Sequence, residues 1–395
     1  MIPALRQAFN AAWTDDRYQA FLDGLTARVG VPIEFPVSET PCFLPRTLVD
    51  ELARAGEDLV RQSMAGAAGR AAEGVVPEQF RGPGAGPRPA FLQVDFGLVR
   101  DVEGRLAPKL VELQAFPSLY GFQVALADAY RSAFALPEGL EAYLGGLDPV
   151  SYLALLREAI VGGHDPAEVV LMEIAPEKQK TRPDFVMTEQ LWGVRAVDTA
   201  DVIKEGRHLF YRHEGKLTPI RRVYNRVIPD ELVRKDIVLP FDYRDDLDVE
   251  WTGHPEWYFR ISKFSIPWLD HPSVPRTWFL RDVNELPDAR ERLLLKPLFS
   301  FAGGGIVFAP TDEELAAIPR AQRNQFILQE RLSFEPVIET PHGPTQAEIR
   351  MMYVWTDRLR AVLPLLRMGR GRMMGVDHNK GVRWVGASAG LTGNY

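Results

Sequence analysis

Three consecutive glycines, Gly303 to Gly305, stand between two apolar runs, Leu293 to Pro297 (LLLKP) and Ile306 to Phe308. Glycine lets the chain turn and leaves backbone N–H groups open to close approach by an anion. The pattern GxxxxGK[ST] is absent and no helix is expected after the glycines, so a P-loop is excluded. What remains is a strand, a loop and a strand that can cover phosphates, with Lys296 just ahead of the loop supplying a cation. A flexible hairpin with a solvated lysine is the other reading, and the motif alone does not separate them.

Other apolar runs also carry isolated polar residues. Asp95 lies in VDFGLV, and Glu112 and Gln114 lie in KLVELQ. The turn from Asp101 to Arg105 joins these runs into a hairpin. Glu112 and Gln114 are two apart and face one side of their strand, where Asp95 on the partner strand can join them. Two carboxylates and an amide oxygen are hard ligands suited to Mg²⁺ on nucleotide phosphates. Alternation alone also produces a polar, solvent-facing strand side. The following FPSLYG, with Pro117 and Ser118, makes a turn where a substrate can sit. Gln329 and Glu330 end the strand FILQER and suit an adenine amino edge and a ribose hydroxyl, although a strand-end Glu is usually just solvated. Arg350, inside the apolar strand EIRMMYVW with Arg367 further on, needs an anionic partner, either a triphosphate or acyl phosphate or a buried Glu. His378 and Asn379 fall on a turn.

The chain has 395 residues, which suggests two or three lobes. A net charge of −7 argues against general nucleic-acid binding. The single cysteine, Cys42, excludes an internal disulfide and fits a small apolar core residue. Residues 1–28 and 45–66 read as amphipathic helices, without the continuous apolar core of a signal peptide. No run is long enough to span a bilayer, so a cytoplasmic protein is expected. Residues 122–160 read as mostly helical. From residue 165 the order changes to strand (168–174), helix (181–192) and strand (194–198), a βαβ unit that predicts a parallel sheet. RVYNRV, 222–227, adds a strand. The expected organisation is α/β (α+β) in three parts: 1–164, 165–255 and 256–395.

These motifs, in this order, resemble the circularly permuted ATP-grasp superfamily, which includes glutathionylspermidine synthase and eukaryotic glutathione synthetase. The likeness covers roughly residues 90–125 and 165–395. VDFGLV…VELQAFPSLYG stands near the front, whereas ordinary ATP-grasp chains end in such a pattern. SKFSIPWL at Lys263 resembles a first ATP lysine, KPLFSFAGGGI a second lysine with its glycine loop, LQER an adenine hinge and EIR a phosphate-contacting strand. GVRWVGASAGL resembles a late closing loop. Gln114 stands where the family usually has Asn, and Gln93 where glutathionylspermidine synthases carry Arg.

The resemblance implies an ATP-grasp fold with a Rossmann-like parallel-sheet domain ahead of the nucleotide lobes. It implies ATP and Mg²⁺ as cofactors, and small-molecule carboxylate and amine substrates joined through an acyl phosphate, without nucleic-acid or membrane partners. Asp95, Glu112 and Gln114 would hold metal. Lys263 and Lys296 would hold phosphates, Gly303, Gly304 and Gly305 would cover them, and Gln329 and Glu330 would take adenine and ribose. Arg350, Lys296 and Arg226 are the expected catalytic residues. Pro117, Ser118 and Asn225 are expected to line the substrate side. Phosphoryl transfer to a hydroxyl, and nucleotide binding without turnover, stay open as alternatives.

Overall fold

The computed structural model describes all residues except 284, 286–288, 301–302, 376–378, 380 and 395. His378 and part of the glycine-loop motif therefore lie outside the described residues. The described strands form four sheets in a mixed α/β fold.

The largest sheet has six strands in the order Cys42–Pro45, Gly386–Gly393, Leu359–Gly369, Gln346–Trp355, Phe91–Arg100 and Leu106–Gln114. The hairpin read from the sequence is present, and Asp95 pairs with Glu112 and Gln93 with Gln114. Segments 1–164 and 256–395 are not separate in space, because strands from both build this one sheet. Alternation divides its faces. Ile349, Met351 and Tyr353 point back into the core under helix Arg46–Met64, and the Tyr353 hydroxyl donates to the Ala53 carbonyl at 3.0 Å. Glu348 and Arg350 point to the opposite face.

The expected parallel sheet is also present. Its order is Glu250–Thr252, Arg222–Asn225, Val169–Glu173, Arg195–Asp198, and all its pairs are parallel. The chain leaves Val169–Glu173 to pair on one side, then returns to pair on the other. This creates a switch point beside Glu173 and Asn225, the place where open parallel sheets present groups to ligands. A four-stranded antiparallel sheet, Thr277–Phe279, Phe326–Glu330, Leu293–Pro297 and Val307–Phe308, carries the expected lysine and glycine loop.

Some expectations need correction. Residues 1–28 form two helices, Pro3–Ala12 and Asp15–Val29, because Thr14 accepts from the Arg17 N–H and starts the second. The 122–160 region contains helices Phe122–Ala133 and Pro149–Ile160, the second begun by a capping box at Asp148. The motif GASAGL is not a loop but lies within the buried strand Gly386–Gly393. Its small residues answer to crowding: a Cβ at Gly386 would sit 2.4 Å from the Pro36 carbonyl oxygen. Cys42 is a buried core residue, and burial pushes its thiol up to about 12. No described helix is long and apolar enough to cross a membrane.

Candidate functional site

The antiparallel sheet faces the charged side of the six-stranded sheet across a cavity of about 790 Å³. Lys296 reaches it from strand Leu293–Pro297. Its ammonium donates to Gln329 Oε1 at 2.6 Å and to the Val111 carbonyl at 3.3 Å. Burial pulls its pKa down to about 8; nearby Glu112 works against this and Lys263 adds to it. Lys263 begins a short 3-10 helix, Lys263–Trp268, and donates to the Ser300 carbonyl at 2.9 Å. Its ammonium lies 3.9 Å from Glu112.

A ligand anion beside Lys296 favours the charged ammonium and raises its pKa on binding. Proton uptake with a bound anion is therefore expected near pH 8 and above, fading below about pH 7, where the free lysine is already charged. Calorimetry in buffers of different ionisation enthalpy reads this directly. Lys296→Arg should remove the uptake; uptake unchanged in that variant would place the titrating group elsewhere.

Gly303 and Gly305 adopt φ of +74° and +73°, a conformation that suits glycine. A Cβ on Gly303 would come 2.5 Å from Met373 Cε, so the loop closes down on the 370–375 segment. Of these glycines, Gly303 lines the cavity, whereas Gly304 and Gly305 are not among its lining residues. The hinge strand divides similarly. Gln329 lines the cavity, but its carboxamide is held by Lys296 and by Thr277, whose hydroxyl accepts at 3.0 Å. Glu330 turns outward to Arg276, which donates at 2.7 Å.

The opposite wall is a sheet of paired charges. Arg350 donates to both Asp95 oxygens at 2.6 Å and to Gln93 Oε1 at 2.8 Å. Arg367 donates to Asp95 and Glu348. Burial alone would raise the Asp95 carboxyl, but Arg350 and Arg367 outweigh it and hold it below its ordinary value. The buried anion that Arg350 required is thus Asp95, on the neighbouring strand. With both oxygens taken and 1% exposure, Asp95 is the counter-ion of two guanidiniums and does not line the cavity, contrary to its expected place among metal ligands. Glu112 does line it, 3.7 Å from Arg350. Gln114 donates to Gln93 at 2.7 Å through its amide nitrogen, so its oxygen remains as an acceptor. Among the described residues no group of three acidic, His or Cys side chains is arranged to hold a metal. A Mg²⁺ ion needs only one or two protein oxygens when phosphates and water fill the rest, and Glu112 with Gln114 meets that need.

The substrate-side residues fall into two groups. Ser118 lines the cavity, and its carbonyl accepts from Gln93 at 2.9 Å. Pro117, Asn225 and Arg226 do not line it. Asn225 donates to the Gly253 carbonyl at 3.0 Å. Arg226 donates to Asp184 at 2.7 Å in a buried ion pair. Asp184 also accepts from the backbone N–H groups of Leu119, Gly121 and Phe122 at 2.9, 2.9 and 3.0 Å. Arg226 thus fastens the parallel sheet to the turn that follows Gln114, and in this arrangement it is a positioning residue. Glu173, at the end of its strand, is pushed up to about 8 by burial, against the pull of Arg226.

Several cavity residues were not singled out from sequence. Among them are Tyr258 and Ser300; the Tyr258 OH and the Ser300 Oγ, like the Nε of Arg367, are buried without a hydrogen-bond partner among the described residues. Glu348 was legible in principle, since it lies two residues from Arg350 on the same strand face. Tyr258 and Ser300 gave no such signal.

No protein-family model matches this chain, and no curated protein matches it. Among solved structures, a glutathione synthetase-like effector from Globodera pallida, in its apo form, is similar with a TM-score of 0.56. The likeness covers 89% of this chain and 93% of that one at 13% identity. At that identity it shows the fold alone, a glutathione synthetase-like arrangement consistent with the ATP-grasp type.

Proposed function

We propose that this chain is an ATP-dependent carboxylate–amine ligase of the circularly permuted ATP-grasp kind. The observation that carries the reading is the cavity itself. Lys263, Lys296, Arg350 and Arg367 converge on one space with Glu112. The permutation is supported by chain order: the Asp95–Glu112 hairpin comes before both lysines, yet pairs with the strand of Arg350 near the end.

The reaction brings a carboxylate to the γ-phosphate of ATP and forms an acyl phosphate and ADP. An amine then displaces phosphate and leaves an amide. Anion meets anion in the first step, so its barrier is largely electrostatic. Mg²⁺ bound at Glu112 and Gln114 would supply charge neutralisation on the phosphate oxygens. Lys296 and Lys263 hold phosphates from the lid side. Arg350 and Arg367 face them from the floor, fixed by Asp95 and Glu348, so little reorganisation is required during reaction. The Gly303 turn, resting on Met373, restricts water that would hydrolyse an acyl phosphate. Ser118 and Tyr258 border the acceptor side.

Hydroxylamine tests this reading. It traps acyl phosphates as hydroxamates, so ATP, a pool of carboxylic acids and hydroxylamine should yield ADP and hydroxamate in step. ADP release with a stable phosphorylated product and no hydroxamate would instead indicate transfer to a hydroxyl.

A further inference from the structure

We infer that Gln93, which does not itself line the cavity, is a positioning residue that presents the side-chain oxygen of Gln114 to a divalent cation carried by the nucleotide. The inference rests on the Mg²⁺–nucleotide part of the ligase reading, whereas the hydrogen bonds that fix Gln114 stand without it.

Gln93 is 0% exposed. Its Oε1 accepts from Arg350 Nη1 at 2.8 Å and from Gln114 Nε2 at 2.7 Å, and its Nε2 donates to the Ser118 carbonyl at 2.9 Å. The nitrogen and oxygen of a carboxamide have nearly the same shape, so their places are decided by their partners. A guanidinium can only donate, so the atom facing Arg350 must be the oxygen. A carbonyl can only accept, so the atom facing Ser118 must be the nitrogen. Both ends of Gln93 are thus fixed by partners that cannot change role. The same oxygen also meets Gln114, and only the Gln114 nitrogen can satisfy it. The Gln114 oxygen is then the atom left for the cavity, which Gln114 lines.

The sheet explains why the constraint falls on this pair. Gln93 pairs with Gln114 on one side and with Met352 on the other, and Met352 pairs in turn with Leu363. Met352 and Leu363 belong to the buried core, so the row passes from polar to apolar at Gln93. Its amide has to be satisfied by the polar groups on its cavity side. In the adjacent row Asp95 pairs with Glu112 and with Arg350. Glu112 and Gln114, two residues apart, therefore offer a carboxylate and a carboxamide oxygen from one side of their strand. Hard oxygens suit Mg²⁺ or Mn²⁺, whereas a Gln114 turned the other way would offer a donor that repels a cation. Gln93 and Gln114 are also the two positions at which the chain departs from the families it resembles, and they are the two ends of one hydrogen bond.

Mn²⁺ titration followed by electron paramagnetic resonance, with and without ADP, tests this on the full chain alongside calorimetric titration of ADP in EDTA. Gln93→Met removes the hydrogen bonds at nearly unchanged volume. It should weaken Mn²⁺ binding in the presence of ADP by about tenfold or more. Metal-free ADP affinity should stay unchanged, which shows that the variant is folded. Gln114→Met should weaken Mn²⁺ by a similar factor, and the double variant should lose no more than either alone, because Gln93 acts through Gln114. Gln93→Glu keeps an acceptor for Arg350 and Gln114, and its Mn²⁺ affinity should stay within about threefold of wild type. Equal losses in Gln93→Met and Gln93→Glu overturn the inference, as do additive losses in the double variant, or a loss of metal-free ADP affinity as large as the loss of Mn²⁺. A wild type that binds ADP without any gain in Mn²⁺ affinity overturns the inference and leaves a nucleotide site intact. Mn²⁺ that binds without ADP binding, and is lost in both Met variants, upholds the role of Gln93 and removes the ligase reading.

Discussion

Asp95→Ala is expected to lower folding stability by about 3–5 kcal/mol, the cost of leaving buried charge without its partner. Asp95 is 1% exposed and meets Arg350 through both oxygens while also accepting from Arg367. Removing it leaves two guanidiniums in the sheet with only Gln93, Glu112 and Glu348 to answer them. Urea unfolding of wild type and variant measures the difference. The pH dependence has a definite sign. The folded-state pKa of Asp95 lies below its ordinary 3.8, so its contribution is fully present above that value and fades as pH falls through the folded pKa. The gap between wild type and variant should therefore persist at neutral pH and shrink only in strong acid. A loss below about 1 kcal/mol would mean that the arginines re-pair with Glu112 and Glu348, as a surface-like pair would.

Glu112→Ala should do the reverse. Glu112 is partly exposed to the cavity, and its nearest cations stand 3.7 and 3.9 Å away. Its loss should change stability by less than about 1 kcal/mol. In the proposed reaction, turnover, read as ADP release with hydroxylamine, should fall by about a hundredfold or more, because the hard oxygen assigned to the phosphates would be gone. Retention of turnover within about threefold would place Glu112 outside the reacting centre. The contrast between adjacent carboxylates, one holding the wall and the other facing the cavity, is the clearest consequence of the geometry.

Much of the frame was legible in the chain. Alternation put Glu112 and Gln114 on one face, and the turn at 101–105 brought Asp95 across from them; both hold because strand period and hairpin pairing are local properties. The βαβ spacing gave the parallel sheet. The partner of Arg350 was not legible, because a guanidinium demands an anion without saying whether protein or ligand provides it. That choice is made by a strand 255 residues away in sequence. Arg226 misled for a similar reason, since its carboxylate, Asp184, sits on a helix whose packing nothing in RVYNRV discloses. The strand Gly386–Gly393 was hidden because its glycines and alanines resemble a loop. A Cβ at Gly390 would stand 2.6 Å from Pro364, and such crowding exists only once the sheet is assembled. Glu330 pointed away for want of any signal that Arg276 lies beside it.

The most direct measurement is thermal unfolding with and without Mg·ATP, on wild type and on Lys296→Ala. At about 100-fold excess over the dissociation constant, a bound nucleotide stabilises the folded chain by about 2.7 kcal/mol. A Mg²⁺-dependent upward shift in wild type that is lost or much reduced in Lys296→Ala is the expected result. No shift in wild type at millimolar Mg·ATP, or an equal shift in both proteins, would contradict a nucleotide site at Lys296.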